Sequence, residues 1–152
     1  MKKLEGWVTA PQGFIAAGVK AGIKASGNHD VAVIFSTVPA ACGAVFTQNK
    51  MCAAPVLVSR EVNKHGYAQA IAVNSGCANA CTGEQGLADA KKMQAHTAEL
   101  LGIAPEAVFV CSTGVIGQFL PMDKLLTGIA DAVDSLDECE GESCAMAIQT
   151  TD

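Results

Sequence analysis

The residues best suited to chemistry lie in the stretch Cys111-Ser-Thr-Gly-Val-Ile-Gly117. The apolar residues just before it, 108–110, have the β-branched and aromatic side chains of a buried strand. Glycines at 114 and 117 allow a tight turn whose N–H groups point at a ligand, and Thr113 adds a hydroxyl donor. Paired donors at the end of a strand suit stabilisation of an oxyanion. A plain strand-to-helix turn with a Ser or Thr cap explains the same residues, so the motif alone leaves both interpretations open.

Cys111 is the candidate nucleophile of this stretch, because a stabilised thiolate attacks acyl carbons. A buried cysteine at the end of a strand is the alternative. The histidines, His29, His65 and His96, do not stand beside a nucleophile in an elbow motif, which argues against a Ser-His-Asp site. No Gly-Lys-Ser/Thr follows the glycines, which argues against a phosphate-binding loop.

A second polar stretch, Asn74-Ser-Gly-Cys-Ala-Asn-Ala-Cys-Thr-Gly83, follows the apolar residues 70–73. Its small and amide side chains at the carboxyl end of a strand could hold a ligand. An Asn/Gly turn that satisfies its own backbone is an equally good explanation. Cys77 and Cys81 have no second His/Cys pair to complete a zinc site, so we expect no metal.

Composition excludes several classes of protein. The chain has 152 residues, of which 50% are hydrophobic, so it can bury a core and is not disordered. A net charge of −5 without a basic run argues against a nucleic-acid partner. No apolar segment reaches the ~20 residues of a membrane span or follows the pattern of a signal peptide. We therefore expect a cytoplasmic protein whose seven cysteines are not in disulfides.

Hydrophobic periodicity predicts short strands and amphipathic helices. The predicted strands are two in residues 6–24 hinged at residues 11–13, one each at residues 31–35, 70–73 and 108–110, and an antiparallel partner at residues 44–47. The predicted helices are residues 86–101, residues 121–136 opened by Pro121, and a third that begins at Ser143 and runs toward Asp152. Residues 54–62 fit either a helix opened by Pro55 or a strand. Without a repeat or a linker, these elements predict an α+β arrangement of sheet and helix layers in a single domain, residues 1–152.

Several motifs occur in a fixed order along the chain. They are Val8-Thr-Ala-Pro-Gln-Gly-Phe-Ile-Ala-Ala-Gly18, Ala53-Ala-Pro-Val-Leu-Val-Ser-Arg60, Asn74-Ser-Gly-Cys-Ala-Asn-Ala-Cys-Thr-Gly83, Cys111-Ser-Thr-Gly-Val-Ile-Gly117, Leu120-Pro-Met-Asp-Lys124 and Ala147-Ile-Gln-Thr-Thr-Asp152. Together they closely resemble the amino-terminal part of the ornithine acetyltransferase family, over essentially the whole chain. That family makes N-acetylglutamate and releases ornithine in arginine biosynthesis.

The resemblance implies a layered α/β/β/α sandwich and an enzyme that cuts itself into an α and a β chain. The β chain then begins with a threonine whose hydroxyl carries the acetyl group from N-acetylornithine to glutamate. By resemblance, Thr113 and Gly114 form the oxyanion hole, and Thr150 contacts substrate. The partners implied are the β chain of the same precursor, in a heterotetramer of two α and two β chains. No cofactor is implied, although acetyl-CoA is a possible co-substrate.

The sequence departs from the family's α chain by stopping at Asp152, before a Lys-Gly-x-Gly-Met stretch and an Ala-Thr cleavage junction. We therefore expect part of an α chain, with the nucleophile on the β chain. Two other hypotheses remain: a non-catalytic chain that binds or scaffolds a partner, and a self-contained thiol enzyme that uses Cys111.

Overall fold

A computed structural model describes residues 6–150 of the chain. Four strands form one sheet in the order β1-β2-β3-β4, and four helices pack against it. Neighbouring strands are antiparallel except β3 and β4, which are parallel. In chain order the elements are β1 (Phe14–Val19), β2 (Val31–Ala41), α1 (Ala54–Asn63), β3 (Tyr67–Cys77), α2 (Gly83–Leu101), a 3₁₀ turn (Pro105–Ala107), β4 (Val108–Val115), α3 (Met122–Asp134) and α4 (Gly141–Ile148).

Helices α1, α2 and α3 cover one face of the sheet. Alternate strand residues point to opposite faces, so every second strand residue meets these helices. The sheet contributes small and β-branched side chains to this core, and the fully buried Met93, Leu125 and Ile129 fill it from the helices. The apolar side of α3 therefore belongs to the core. The sheet residues of this face are Ala17, Val31, Val33, Ala72 and Val110.

Helix α4 packs on the opposite face, over β1, β2 and β3. Ala16, Ala32 and Val73 meet Cys144 and Ala147 there. Burial raises the pKa of the Cys144 thiol to about 11, so this side chain is uncharged at neutral pH and packs as a small hydrophobe.

The parallel pairing of β3 with β4 aligns their carboxyl ends. Helix α2 forms the crossover that a parallel pair requires. In the resulting register, Ser75 lies opposite Thr113, and Gly76 lies opposite Gly114. The fold therefore places the Asn74–Gly83 stretch beside the candidate donors of β4.

Most predicted elements are confirmed. The strands at residues 31–35, 70–73 and 108–110 exist and are longer than predicted, and the three predicted helices are present. Residues 54–62 form a helix, with a proline in its first turn where the missing N–H costs nothing. Pro121 is the N-cap of α3 rather than its first residue. The third helix, predicted from Ser143 toward Asp152, begins at Gly141 and ends at Ile148, where Gln149 becomes extended; residues 151–152 lie outside the described range.

Two strand predictions were wrong. Only one strand, β1, lies in residues 6–24; the chain before it turns, with the Ala10 N–H donating to the Trp7 carbonyl at 3.0 Å. Gly6 and Gly13 have φ of 139° and 86°, which interrupts an extended run. Residues 44–47 form no strand, because β2 is already paired with β1 on one side and β3 on the other.

The α+β class is confirmed by one mixed sheet and its flanking helices. Residues 6–150 form a single sheet, so the second sheet of the sandwich that the resemblance implies is not seen in the described part of the chain.

Candidate active site

The ends of β3 and β4 touch through two glycines. A Cβ atom on Gly114 would lie 2.4 Å from the carbonyl carbon of Gly76, far inside contact distance. Gly76 is itself covered on its other side, because a Cβ there would lie 3.2 Å from side-chain carbons of both Ile23 and Lys24. Both glycines have positive φ, 127° at Gly114 and 102° at Gly76. Only glycine allows these backbones to approach so closely.

A pocket of about 660 Å³ opens beside this glycine contact. Thr113, Gly114 and Thr150 all line it, although Thr150 is far from the other two in sequence. The three residues that the family resemblance singled out are therefore brought to one cavity. The rest of its lining comes from the loop before β2, the ends of β3 and β4, and the segment after β4. These residues are Ile23, Lys24, Ala25, Ser26, Gly76, Val115 and Gln118.

The donor stretch differs from its sequence prediction in where the turn lies. Strand β4 continues to Val115, so Thr113 and Gly114 lie within the strand and not in the turn itself. The pairing continues because Gly76 and Gly114, opposite each other, have no side chains to separate the strands. The chain turns afterwards, and the Gly117 N–H donates to the Ala80 carbonyl at 2.9 Å. Gly117 therefore supports the turn and offers no amide to a ligand.

The stretch from Asn74 to Gly83 mostly satisfies its own backbone. Asn74 is fully buried, and its Nδ2 donates to the Cys77 carbonyl at 2.9 Å. Asn79 is also fully buried; its Nδ2 donates to the Gly86 carbonyl at 2.9 Å, and its Oδ1 accepts from the Thr82 hydroxyl at 2.7 Å. Of the two open interpretations, these bonds favour the structural one for the amide side chains.

The sequence analysis missed Asp30 and Lys24. Asp30 is fully buried, and its carboxylate accepts backbone N–H groups of Ala21, Ile23 and Lys24 at 2.7, 2.6 and 2.9 Å. Lys24 lines the pocket, and its ammonium group donates to the His29 and Gln149 carbonyls. Desolvation lowers the pKa of Lys24, and the nearby Asp30 charge partly opposes that shift. No motif in the sequence identifies either residue, because each bonds to backbone groups: Asp30 to N–H groups of its own loop, and Lys24 to carbonyls of that loop and of the segment after α4.

Cys111 lies in different surroundings from Thr113. It lines a separate, largely apolar pocket of about 580 Å³ between β4 and the segment around residues 41–46. The residue is exposed, but neighbouring atoms desolvate its sulfur and raise the pKa of the thiol. A raised pKa disfavours the thiolate that a nucleophile requires. His65 packs edge-on against Tyr67, and His96 contacts the Leu126 carbonyl, so both are engaged elsewhere.

Two further features of residues 6–150 bear on the class of protein. No three His, Cys, Asp or Glu side chains within this range are grouped so that they could hold a metal ion. No helix within this range combines the length and the apolar character needed to cross a membrane.

Comparison with known proteins gives consistent results. The model of the ArgJ family matches residues 15–152. The arginine biosynthesis bifunctional protein ArgJ of Caldanaerobacter subterraneus subsp. tengcongensis is 53% identical over 152 residues, which is all of this chain and 38% of that protein. The ArgJ of Streptomyces coelicolor is 51% identical over 146 residues, 95% of this chain and again 38% of its own length. The chain thus spans well under half the length of these relatives.

Two solved structures are also similar to this chain, in fold and in sequence. Ornithine acetyltransferase from Mycobacterium tuberculosis, solved in complex with ornithine, matches with a TM-score of 0.95 and 47% identity, over 98% of this chain and 82% of that chain. The ArgJ protein of Bacillus halodurans matches with a TM-score of 0.92 and 44% identity, over 99% of this chain and 80% of that one. These similarities confirm the resemblance that the motifs indicated and the fold class that it implied.

Proposed function

The chain belongs to the ArgJ family, and from this premise we propose that it is the amino-terminal part of an acetyltransferase of arginine biosynthesis. The proposed enzyme moves the acetyl group of N-acetylornithine to glutamate. The chain spans 38% of its relatives' length, and in this proposal a second segment of the precursor supplies the rest of the site.

One observation carries the proposal. Thr113 and Gly114 at the end of β4, and Thr150 after α4, line one pocket even though they come from separate parts of the chain. A hydroxyl and a backbone amide beside each other are suited to a developing oxyanion, and a third polar side chain across the cavity is suited to hold the substrate.

The proposed reaction uses the threonine at the start of a β chain. Its α-amine, with a pKa of about 7.7–8.0, takes the hydroxyl proton as the oxygen attacks the acetyl carbonyl. The carbonyl becomes a tetrahedral oxyanion, and the C–N bond then breaks to release ornithine, which leaves with a proton. The amine of glutamate attacks the resulting ester through a second oxyanion, restoring the threonine hydroxyl.

Within that reaction, the Thr113 hydroxyl and the Gly114 N–H donate to the oxyanion in both halves. These bonds strengthen as negative charge develops, so they lower the barrier more than they tighten ground-state binding. Thr150 contacts the amino-acid substrate. The cleft requires no cofactor, and acetyl-CoA serves as an additional acetyl donor. The assembled form is a cytoplasmic heterotetramer of two α and two β chains.

The test is an assay of the full-length precursor that begins with this chain. After processing, we expect transfer of acetyl from N-acetylornithine to glutamate, and a β chain whose first residue is threonine by mass spectrometry. Supplying acetyl-CoA in place of N-acetylornithine tests the second donor separately. A folded, processed protein that transfers acetyl from neither donor would contradict the proposal and favour the scaffold hypothesis.

A further inference from the structure

Helix α4 ends close to the pocket without a basic residue in its last turn, and its cap, Gln149, is extended. The last carbonyls of a helix have no partners within the helix and carry a partial negative charge. Here those carbonyls are bonded from outside. Lys24 Nζ donates to the Gln149 carbonyl at 2.5 Å and reaches the Ala147 carbonyl at 3.5 Å, and the Ser75 hydroxyl also donates to the Ala147 carbonyl.

Lys24 is also bonded within its own loop. Its backbone N–H donates to the buried Asp30 carboxylate at 2.9 Å, and its Nζ donates to the His29 carbonyl at 2.7 Å. The Asp30 carbonyl in turn accepts the Ser75 N–H at 2.8 Å. The loop before β2, the end of β3 and the end of α4 are therefore joined in one network of hydrogen bonds.

This network also touches the donor pair. Ser75 lies opposite Thr113 in the sheet. The Lys24 side chain packs over Gly76, and Gly76 is the residue against which Gly114 rests. Lys24 therefore contacts both halves of the pocket: the glycine contact beneath Thr113 and Gly114, and the segment that leads into Thr150.

We propose that Lys24 is a positioning residue, whose ammonium group fixes the segment after α4 so that Thr150 faces the Thr113–Gly114 donor pair. The inference rests on the proposed function and assigns to that site a residue that does not itself touch substrate. Its ammonium group has three N–H donors, and three backbone carbonyls lie within reach of them. A neutral or shorter side chain removes the ammonium donor from the Gln149 carbonyl and weakens the attachment of the segment that leads into Thr150.

The test uses the processed full-length enzyme with Lys24→Met, which keeps the length of the side chain and removes its donors. We expect the KM for N-acetylornithine to rise about tenfold, the order of one lost charge-assisted hydrogen bond, while kcat falls less. Lys24→Arg keeps a cation and should recover part of the lost affinity. Lys20→Met, at an exposed lysine of the same loop, is the matched control and should leave the KM unchanged.

A double-mutant cycle separates positioning from general stability. If Lys24 acts through Thr150, then Lys24→Met should raise the KM much less in a Thr150→Ala background than in the wild type. Equal effects in both backgrounds, or an unchanged KM in the single variant, would overturn the inference. If Lys24→Met fails to fold, the same double-mutant cycle can be measured with Lys24→Gln, whose side chain is neutral and shorter. A wild-type enzyme without transfer activity would instead count against the proposed function.

Discussion

Gly114 has no space for a side chain, so its contribution cannot be tested by simple substitution. A Cβ there would meet backbone atoms of Gly76 and Cys77 at 2.4 to 2.8 Å. Gly114→Ala would push β4 away from β3 and remove activity for a structural reason. Thr113 is different, because its hydroxyl can be removed without changing the backbone. Thr113 is therefore the member of the donor pair whose role a substitution can test.

Thr150 should affect substrate binding as well as rate. It lines the pocket beside the donors but comes from the segment after α4. We expect Thr150→Ala in the complete enzyme to raise the KM for N-acetylornithine and to lower kcat. Steady-state kinetics over a range of substrate concentrations measures both. If kcat alone falls, Thr150 does not contact the ground-state substrate.

Cys111 should be dispensable for the reaction. Desolvation raises the pKa of its thiol, so the protonated form dominates at neutral pH, and it lines a pocket different from that of Thr113. We expect Cys111→Ala to keep kcat within a few-fold of wild type. A loss of several orders of magnitude in a folded variant would instead support the thiol-enzyme hypothesis.

At the scale of elements, helix α4 packs directly on β1 through Gly18. A Cβ on Gly18 would lie 2.0 Å from the Ser143 carbonyl oxygen, and the Gly18 N–H donates to the Ser143 hydroxyl at 3.0 Å. Because α4 also leads into Thr150, its position on the sheet links packing to the pocket.

Gly18→Ala should displace α4 and destabilise the complete enzyme by about 1–3 kcal/mol, the range for an overpacked contact. Urea unfolding measures the change. Gly43→Ala is the matched control, because nothing lies within 4 Å of a Cβ at that position. Equal unfolding midpoints for the two variants would show that α4 does not pack on β1 in this way.

The sequence predicted the regular elements better than it predicted their contacts. Helix α3 and the strand at residues 108–110 have local hydrophobic patterns that distinguish a helix from a strand. Residues 44–47 have a strand-like pattern too, but both edges of β2 are already occupied, which only the assembled sheet reveals.

The candidate site was predictable only in part, because some of its residues stand in local motifs and others are brought in by contacts between segments. Thr113 and Gly114 stand in one motif, and Thr150 was assigned by family resemblance. Lys24 and Asp30 were missed, and Ser75 was noted only as part of the Asn74–Gly83 stretch. All three bond to backbone carbonyls or amides, and residue types do not reveal a backbone partner.

At the scale of the whole molecule, the described part of the chain leaves apolar surface beside the pocket. Ile116 and Phe119, which follow β4, are 65% and 64% exposed, and Val115 is also exposed. Such a cluster of large apolar side chains is typical of a surface that another chain covers. This agrees with a chain that spans 38% of its relatives' length.

Expressed without the rest of the precursor, the chain should transfer no acetyl group and should aggregate. It lacks the proposed nucleophile and leaves apolar side chains exposed. Size-exclusion chromatography and an acetyl-transfer assay of the chain alone, with the processed full-length enzyme as control, measure the two effects. Acetyl transfer by the isolated chain would disprove the two-chain account.

The central claim is that this chain supplies the oxyanion donors for a nucleophile held elsewhere, and Thr113 tests it most directly. Removing one such donor typically costs about 2.7–4 kcal/mol, roughly 100- to 1,000-fold in turnover. Thr113→Ala in the processed full-length enzyme should lower kcat by that factor, with the KM nearly unchanged and the fold intact. Thr113→Ser keeps the hydroxyl and should recover most of the activity. If both variants keep a kcat close to that of the wild type, the end of β4 is structural and the claim is wrong.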